Sequence, residues 1–278
     1  MKHNLSHVHQ RKYNNRTIEE WFQAIRDREV QSPEAIIAFR VNKLGSEAKY
    51  AVPFLMNCLD DDKVYGEFDV RYVAMYALGR LKTHAMPALE KLQCIARNGE
   101  LSCNYAYEAC LHINPIACGI AFWIDALSHE NDVVVRTAAE GLSKFGKQGA
   151  AAVDPLITAA LAHVKFGVPQ NYSFCLSALL KIAQNSPKVL SLAEHVLNKI
   201  DVFVGIQAIA EIDTPESKKI MSTVFGVCRP EMKGLYGNKI RRLIRKYANE
   251  HPEFNYMCNN CGQIVSEHND WLCDTCKS

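Results

Sequence analysis

Asp69-Val70-Arg71-Tyr72-Val73-Ala74-Met75-Tyr76-Ala77-Leu78-Gly79-Arg80-Leu81, followed by Ala85-Met86-Pro87-Ala88-Leu89, is the stretch on which the fold turns. Val73, Tyr76, Ala77 and Leu81 recur at the spacing of one helix face, so residues 69–81 read as an amphipathic helix. Asp69 is placed to cap its start by accepting a hydrogen bond from free backbone N–H groups. The alanines keep one face flat enough for close packing. Pro87 falls near the start of a following helix, where its missing N–H would be unpaired anyway.

The pieces of this stretch recur. Ala51-Val52-Pro53-Phe54-Leu55 precedes Ala85-Met86-Pro87-Ala88-Leu89 by 34 residues, and Ala152-Val153-Asp154-Pro155-Leu156-Ile157 is a shifted echo. Ala77-Leu78-Gly79-Arg80-Leu81 has counterparts in Asn42-Lys43-Leu44-Gly45, Gly141-Leu142-Ser143-Lys144-Phe145-Gly146 and Leu179-Leu180-Lys181-Ile182. Asp132-Val133-Val134-Val135-Arg136 repeats the Asp-Val-Arg helix start. A fixed period of this length signals stacked supersecondary units. Further start signals are the Thr17-Ile18-Glu19-Glu20 capping box and the Pro-opened starts at Ser32-Pro33, Ser186-Pro187 and Thr214-Pro215.

The pattern predicts helices over about 17–27, 32–44, 50–60, 69–81, 84–97, 101–113, 115–128, 132–145, 150–163, 170–183, 186–198, 199–212, 214–227 and 233–249, and no strand before residue 255. Antiparallel pairs of this period, with an Asp-Val-Arg start and an Ala-Val-Pro-x-Leu block, resemble HEAT repeats of the short bacterial, phycobilisome-lyase style. The resemblance spans roughly residues 30–227. It is clearest in 44–89 and 132–157, and residues 98–114 and 186–212 lack the signature. It implies an all-α fold, a right-handed α-solenoid of about seven helix pairs over residues 17–250, with a flexible arm at 1–16. The longer connections after Leu59 and after His163 lie where such arrays build binding edges or tolerate insertions.

The 278 residues are 48% hydrophobic and 22% charged, with a net charge of +2, which excludes a disordered or polycationic chain. The N-terminus lacks the apolar run of a secretory signal, and no window reaches the roughly 20 apolar residues of a membrane span. Seven of the eleven cysteines, at 58, 94, 103, 110, 118, 175 and 228, stand singly in helix-like stretches and read as buried thiols. That usage points to a reduced, cytoplasmic protein.

The other four form two Cys-x-x-Cys pairs, Cys258/Cys261 and Cys273/Cys276, separated by eleven residues. Four thiolates at this spacing can converge tetrahedrally on one metal ion. Residues 251–278 resemble a zinc ribbon or rubredoxin-like knuckle. The expected cofactor is one structural Zn²⁺, with iron the alternative, since tetrathiolate sites accept either. Asp274 and Lys277 depart from the rubredoxin pattern, and no glutamate is followed by His at i+3 as a di-iron bundle would require.

Between Arg229 and Lys246 stand seven basic residues and one acid, Glu231. Lys239, Arg241, Arg242, Arg245 and Lys246, with Leu243, Ile244 and Tyr247, make a basic amphipathic helix. It suits either a nucleic-acid backbone or an acidic protein partner, and equally a solvated end of the array. Trp123 with Asp125 invites comparison with HEAT-like DNA glycosylases, and Glu108 with His112 makes one i, i+4 pair. His3, His7 and His9 belong to the arm. No nucleophile elbow, phosphate loop or His-Glu-x-x-His appears, and no small-molecule substrate is indicated. The expected function is a non-enzymatic scaffold that binds a protein through its concave face. The alternatives are nucleic-acid binding by the basic helix with the ribbon, and a HEAT-like lyase or glycosylase.

Overall fold

A computed structural model describes residues 17–27, 29, 48–61, 63–65, 68–99, 103–164, 171–227, and 239, 240, 242, 243, 246, 247 and 250. The expected helix at 32–44, the arm at 1–16 and the ribbon at 251–278 lie outside them, as do Cys228, Arg241 and Arg245. The chain divides into two compact units, Met1–Lys144 and Phe145–Ser278.

The first unit opens with α1 (Ile18–Arg26), and the expected capping box is present. Thr17 Oγ1 accepts from Glu20 N at 3.2 Å, and Glu20 accepts from Thr17 N at 2.6 Å. α2 (Ala48–Cys58) follows. The connection after Leu59 holds a two-residue antiparallel hairpin, β1 (Val64–Tyr65) with β2 (Phe68–Asp69), where no strand was expected. Two residues per strand are too few for any alternation of side chains to appear in the sequence. The connection is tied at its base. Arg26 Nε donates to Asp61 at 3.0 Å, and Lys91 Nζ reaches the Asp60 carboxylate at 2.7 Å and the Met56 carbonyl at 3.0 Å.

α3 (Val70–Leu81) then buries Val73, Ala74, Ala77 and Leu78 completely. The single helix expected over 84–97 is two elements. A 3₁₀ turn at Lys82–Ala88 contains Pro87 and is followed by α4 (Leu89–Arg97). The break begins at Lys82, whose φ of 52° leaves the right-handed helical region. α5 (Cys103–Ile113) packs against α3 and α4, and Ala109 Cα lies 3.2 Å from where a Cβ on Gly79 would sit. The helix expected over 115–128 is also split, into α6 (Pro115–Cys118) and α7 (Ile120–Ala126), at Gly119 with φ 83°. The unit's last helix is α8 (Asp132–Ser143). Its cap is Asn131, whose side chain accepts from Val133 N at 2.8 Å. Asp132 instead places a negative charge in the first turn.

The second unit begins with a 3₁₀ turn at Gly146–Ala152 leading into α9 (Val153–Val164). Gly146 has φ 51°, matching Lys82 at the same point of the repeat. The local plan of the first clear repeat therefore recurs in the second: a left-handed residue, a 3₁₀ turn, then a helix with a buried leucine at Leu92 or Leu156. Then come α10 (Asn171–Ala183), α11 (Pro187–Lys199), α12 (Val202–Glu211) and α13 (Pro215–Val227). The degenerate stretch 186–212 still folds as a helix pair. Val189, Leu192, Ala193 and Val196 keep the i, i+3, i+4, i+7 spacing and are buried. Successive helices in the unit pack as α9 on α10, α11 on α12 and α12 on α13.

The two left-handed positions make an internal control. Gly146→Ala is expected to cost about 1 kcal/mol, because a Cβ is strained at positive φ. Lys82→Gly removes that strain, and the added freedom of the unfolded chain offsets part of the gain. It is expected to be neutral or stabilising by up to about 1 kcal/mol. Urea unfolding midpoints of the two variants, moving in these different ways, check the assignment.

Candidate functional site

Among the described residues of the second unit, an open groove of about 560 Å³ lies between α9 and α11. These two helices occupy equivalent places in successive repeats. Asp154 and Lys188 stand 34 residues apart, the period read from the sequence, and their side chains meet at 2.7 Å across one end of the groove. Ile157 and Leu161 of α9 face Ser191, Leu192 and His195 of α11 along its length. On each helix the lining residues recur at i, i+3, i+4 or i+7, so one stripe per helix turns into the groove. Leu161 is 38% exposed, an apolar side chain left open in the groove. The ion pair is largely in water. It aligns the two helices more than it stabilises them.

Trp123 is fully buried. Its indole N–H donates to the Pro115 carbonyl at 2.9 Å, and its ring stacks edge-on to Phe122 at 4.8 Å and near Tyr107 at 6.3 Å. A Cβ on Gly141 would lie 2.6 Å from that ring. Trp123 is therefore a packing residue with no face for a substrate, while Asp125 is on the exposed side of α7. Glu108 is turned to Arg136 of α8 at 3.9 Å, and His112 is exposed.

One contact of chemical interest joins residues far apart in the sequence. Cys103 Sγ lies 3.5 Å from His129 Nε2. His129 Nδ1 accepts from the backbone N–H of Asn131 at 2.9 Å, which assigns the ring proton to Nε2, on the sulfur side. The imidazole thus donates to the thiol and has no lone pair there to act as its base. Burial also raises the Cys103 thiol above its ordinary value. A nucleophilic pair needs the opposite arrangement. Among the described residues, no cluster of three or more His, Cys, Asp or Glu side chains could hold a metal ion.

Cys58, Cys103, Cys110, Cys118 and Cys175 are buried, and burial pushes Cys175 up to about 12. Cys94 is exposed on α4, against the expectation for its class.

The expected metal ligands Cys258, Cys261, Cys273 and Cys276 lie outside the described residues. Of the basic set, Lys239, Arg242 and Lys246 are described. They are helical and exposed, while Ile240 and Tyr247 on the opposing face are buried. Lys246 pairs with Glu250 at 3.8 Å. Among the described residues, no helix is long and apolar enough to cross a membrane.

The family model of the PBS lyase HEAT-like repeat matches residues 70–93, the span from the start of α3 through the 3₁₀ turn into α4. No curated protein matches the chain, and no solved structure does.

Proposed function

We propose that this HEAT-like repeat protein is a non-enzymatic scaffold that binds a protein partner through the faces of its second-of-pair helices. The right-handed winding of about seven such pairs, with those helices on the concave side, belongs to the same reading. The groove between α9 and α11 is the observation that carries it. It is open and apolar, and it is built from equivalent positions of successive repeats. Grooves of this kind suit an apolar helix or an extended segment of another polypeptide.

The test is charge placed in the groove. Leu161→Glu is expected to weaken binding of the wild-type chain's partner at least about tenfold, since burying a leucine contributes about 1.5–3 kcal/mol. The unfolding midpoint should hardly move, because Leu161 is already part-exposed. Unchanged binding by this variant would remove the groove from the interface.

A second reading rests on a different observation, the exposed row Lys239, Arg242 and Lys246 opposite Ile240 and Tyr247. A helix face of this kind contacts a phosphate backbone by displacing counterions. Its mark is affinity that falls steeply with salt and is lost when Arg241, Arg242 and Arg245 are reversed to Glu. Salt-independent or absent binding rejects it.

The metal belongs to this proposal on the chemistry of its donors. Cys258, Cys261, Cys273 and Cys276 would hold one Zn²⁺ with every position occupied, which serves structure and leaves no open site for catalysis. A short module of this kind draws its folding energy from the metal. The purified chain is expected to be colourless with about one zinc per chain. Chelation or Cys273→Ser should release the zinc while most of the far-ultraviolet helical signal persists. A red chain would establish iron, and loss of all helicity would contradict separate folding of the module.

A further inference from the structure

Tyr72 of α3 and Tyr105 of α5 stand 33 residues apart in the sequence, close to one repeat, and each is the third residue of its helix. The two helices pack side by side. Two contacts set their register. A Cβ on Gly79 would lie 3.2 Å from Ala109 Cα, and the Tyr72 and Tyr105 rings meet with centroids 4.0 Å apart and planes tilted by 45°. Tyr72 and Gly79 are i, i+7 on α3, and Tyr105 and Ala109 are i, i+4 on α5, so one stripe per helix makes both contacts. The third residue of α8 is Val134, so the repeat that follows offers no phenol at this position.

Both tyrosines are half-buried, so each keeps part of its surface open to solvent while its backbone is held in a helix. The scaffold reading uses neither phenol. A phenol loses one electron and one proton to a one-electron oxidant, and the unpaired spin left behind spreads onto the ring carbons beside the hydroxyl-bearing carbon. Two such radicals couple where they meet. Between chains in dilute solution that meeting is rare, whereas rings already in contact meet at a very high effective concentration. Tyr107, on the same helix, is buried and turned to Phe122, Trp123 and His129 instead.

We propose that Tyr72 and Tyr105 are an oxidative cross-linking site, coupled by a one-electron oxidant into a dityrosine that ties α3 to α5. Each phenol gives one electron to the oxidant and one proton to water. A Cε carbon of Tyr72 then bonds to a Cε carbon of Tyr105. The hydrogen on each joined carbon moves, through water, to that ring's oxygen, which restores two aromatic phenols. Two tyrosines lose two electrons and two protons in all, and two equivalents of oxidant are reduced. The bond closes a loop that holds the 3₁₀ turn and α4 between successive repeats of the first unit. Unlike a disulfide, a carbon–carbon bond is not reversed by thiols.

The experiment illuminates the full chain at low concentration with ruthenium tris-bipyridine and persulfate, a one-electron photo-oxidant. The chain is then reduced and digested with trypsin. The expected product joins the peptides Tyr72–Arg80 and Asn98–Arg136, is lighter than their sum by two hydrogens, and persists in dithiothreitol. Fragmentation should place the link at Tyr72 and Tyr105, and the monomer band should carry dityrosine fluorescence. Tyr72→Phe and Tyr105→Phe should each abolish the linked peptide. Tyr76→Phe, on the same tryptic peptide as Tyr72, should leave it in place. Tyr50 is 51% exposed, so oxygen added there, or chains joined through it, shows that the oxidant acted. Absence of the linked peptide from a sample in which Tyr50 is oxidised would overturn the proposal. So would a link that survives in both the Tyr72 and Tyr105 variants, or one found only between chains.

Discussion

Trp123→Ala is expected to cost about 3–5 kcal/mol of folding stability, the range for deleting a large buried aromatic side chain. The indole is wholly enclosed, with Gly141 on one side and Phe122 and Tyr107 on others. Its N–H partner, the Pro115 carbonyl, would also lose its donor. The glycine has no side chain to move into the space, so little of the cavity can close. A urea unfolding midpoint within error of the wild type would show that Trp123 is not a packing centre of the first unit. Trp123→Phe keeps most of the volume and is expected to fall well short of the alanine loss.

Gly205→Ala is expected to be nearly as damaging, at about 3 kcal/mol, through the opposite fault of overpacking. A Cβ on Gly205 would lie 2.4 Å from the Leu197 Cα and 2.5 Å from its backbone nitrogen. Backbone atoms cannot rotate away as a flexible side chain can, so α11 and α12 would have to separate along their contact. The exposed neighbour Gln207 serves as the control, since Gln207→Ala on the same helix should stay within about 0.5 kcal/mol. Thermal melts followed by circular dichroism distinguish the two variants. Equal midpoints for both would refute the close approach.

Most of the helical pattern was legible in the sequence because it rests on apolar spacing, which survives where the repeat signature does not. Val189, Leu192, Ala193 and Val196 show this in a stretch without the Leu-Gly or Asp-Val-Arg pieces. The breaks were less legible. Pro87 was read as opening a helix, whereas the chain makes a 3₁₀ turn from Lys82, a position where a lysine gives no outward sign of positive φ. Its counterpart Gly146 did carry that sign. Gly119 likewise split a helix that apolar spacing alone joined. At the start of α8, Asn131 and Asp132 are both competent caps, and backbone geometry chose the first.

The groove was only half legible. The period of 34 residues appears in the echo at Ala152–Ile157, yet the pairing of Asp154 with Lys188 required knowing that 187–199 is the equivalent helix. The Cys103–His129 contact joins residues that no spacing rule connects.

The scaffold reading requires the α9–α11 groove to receive a polypeptide. A photo-crosslinking amino acid placed at Ser191, inside the groove and exposed, tests it in the full chain. The expected result is a discrete adduct that protease removes and nuclease does not, with its yield falling sharply when Leu161→Glu is added. A nuclease-sensitive adduct, or a polypeptide adduct indifferent to Leu161→Glu, would contradict it.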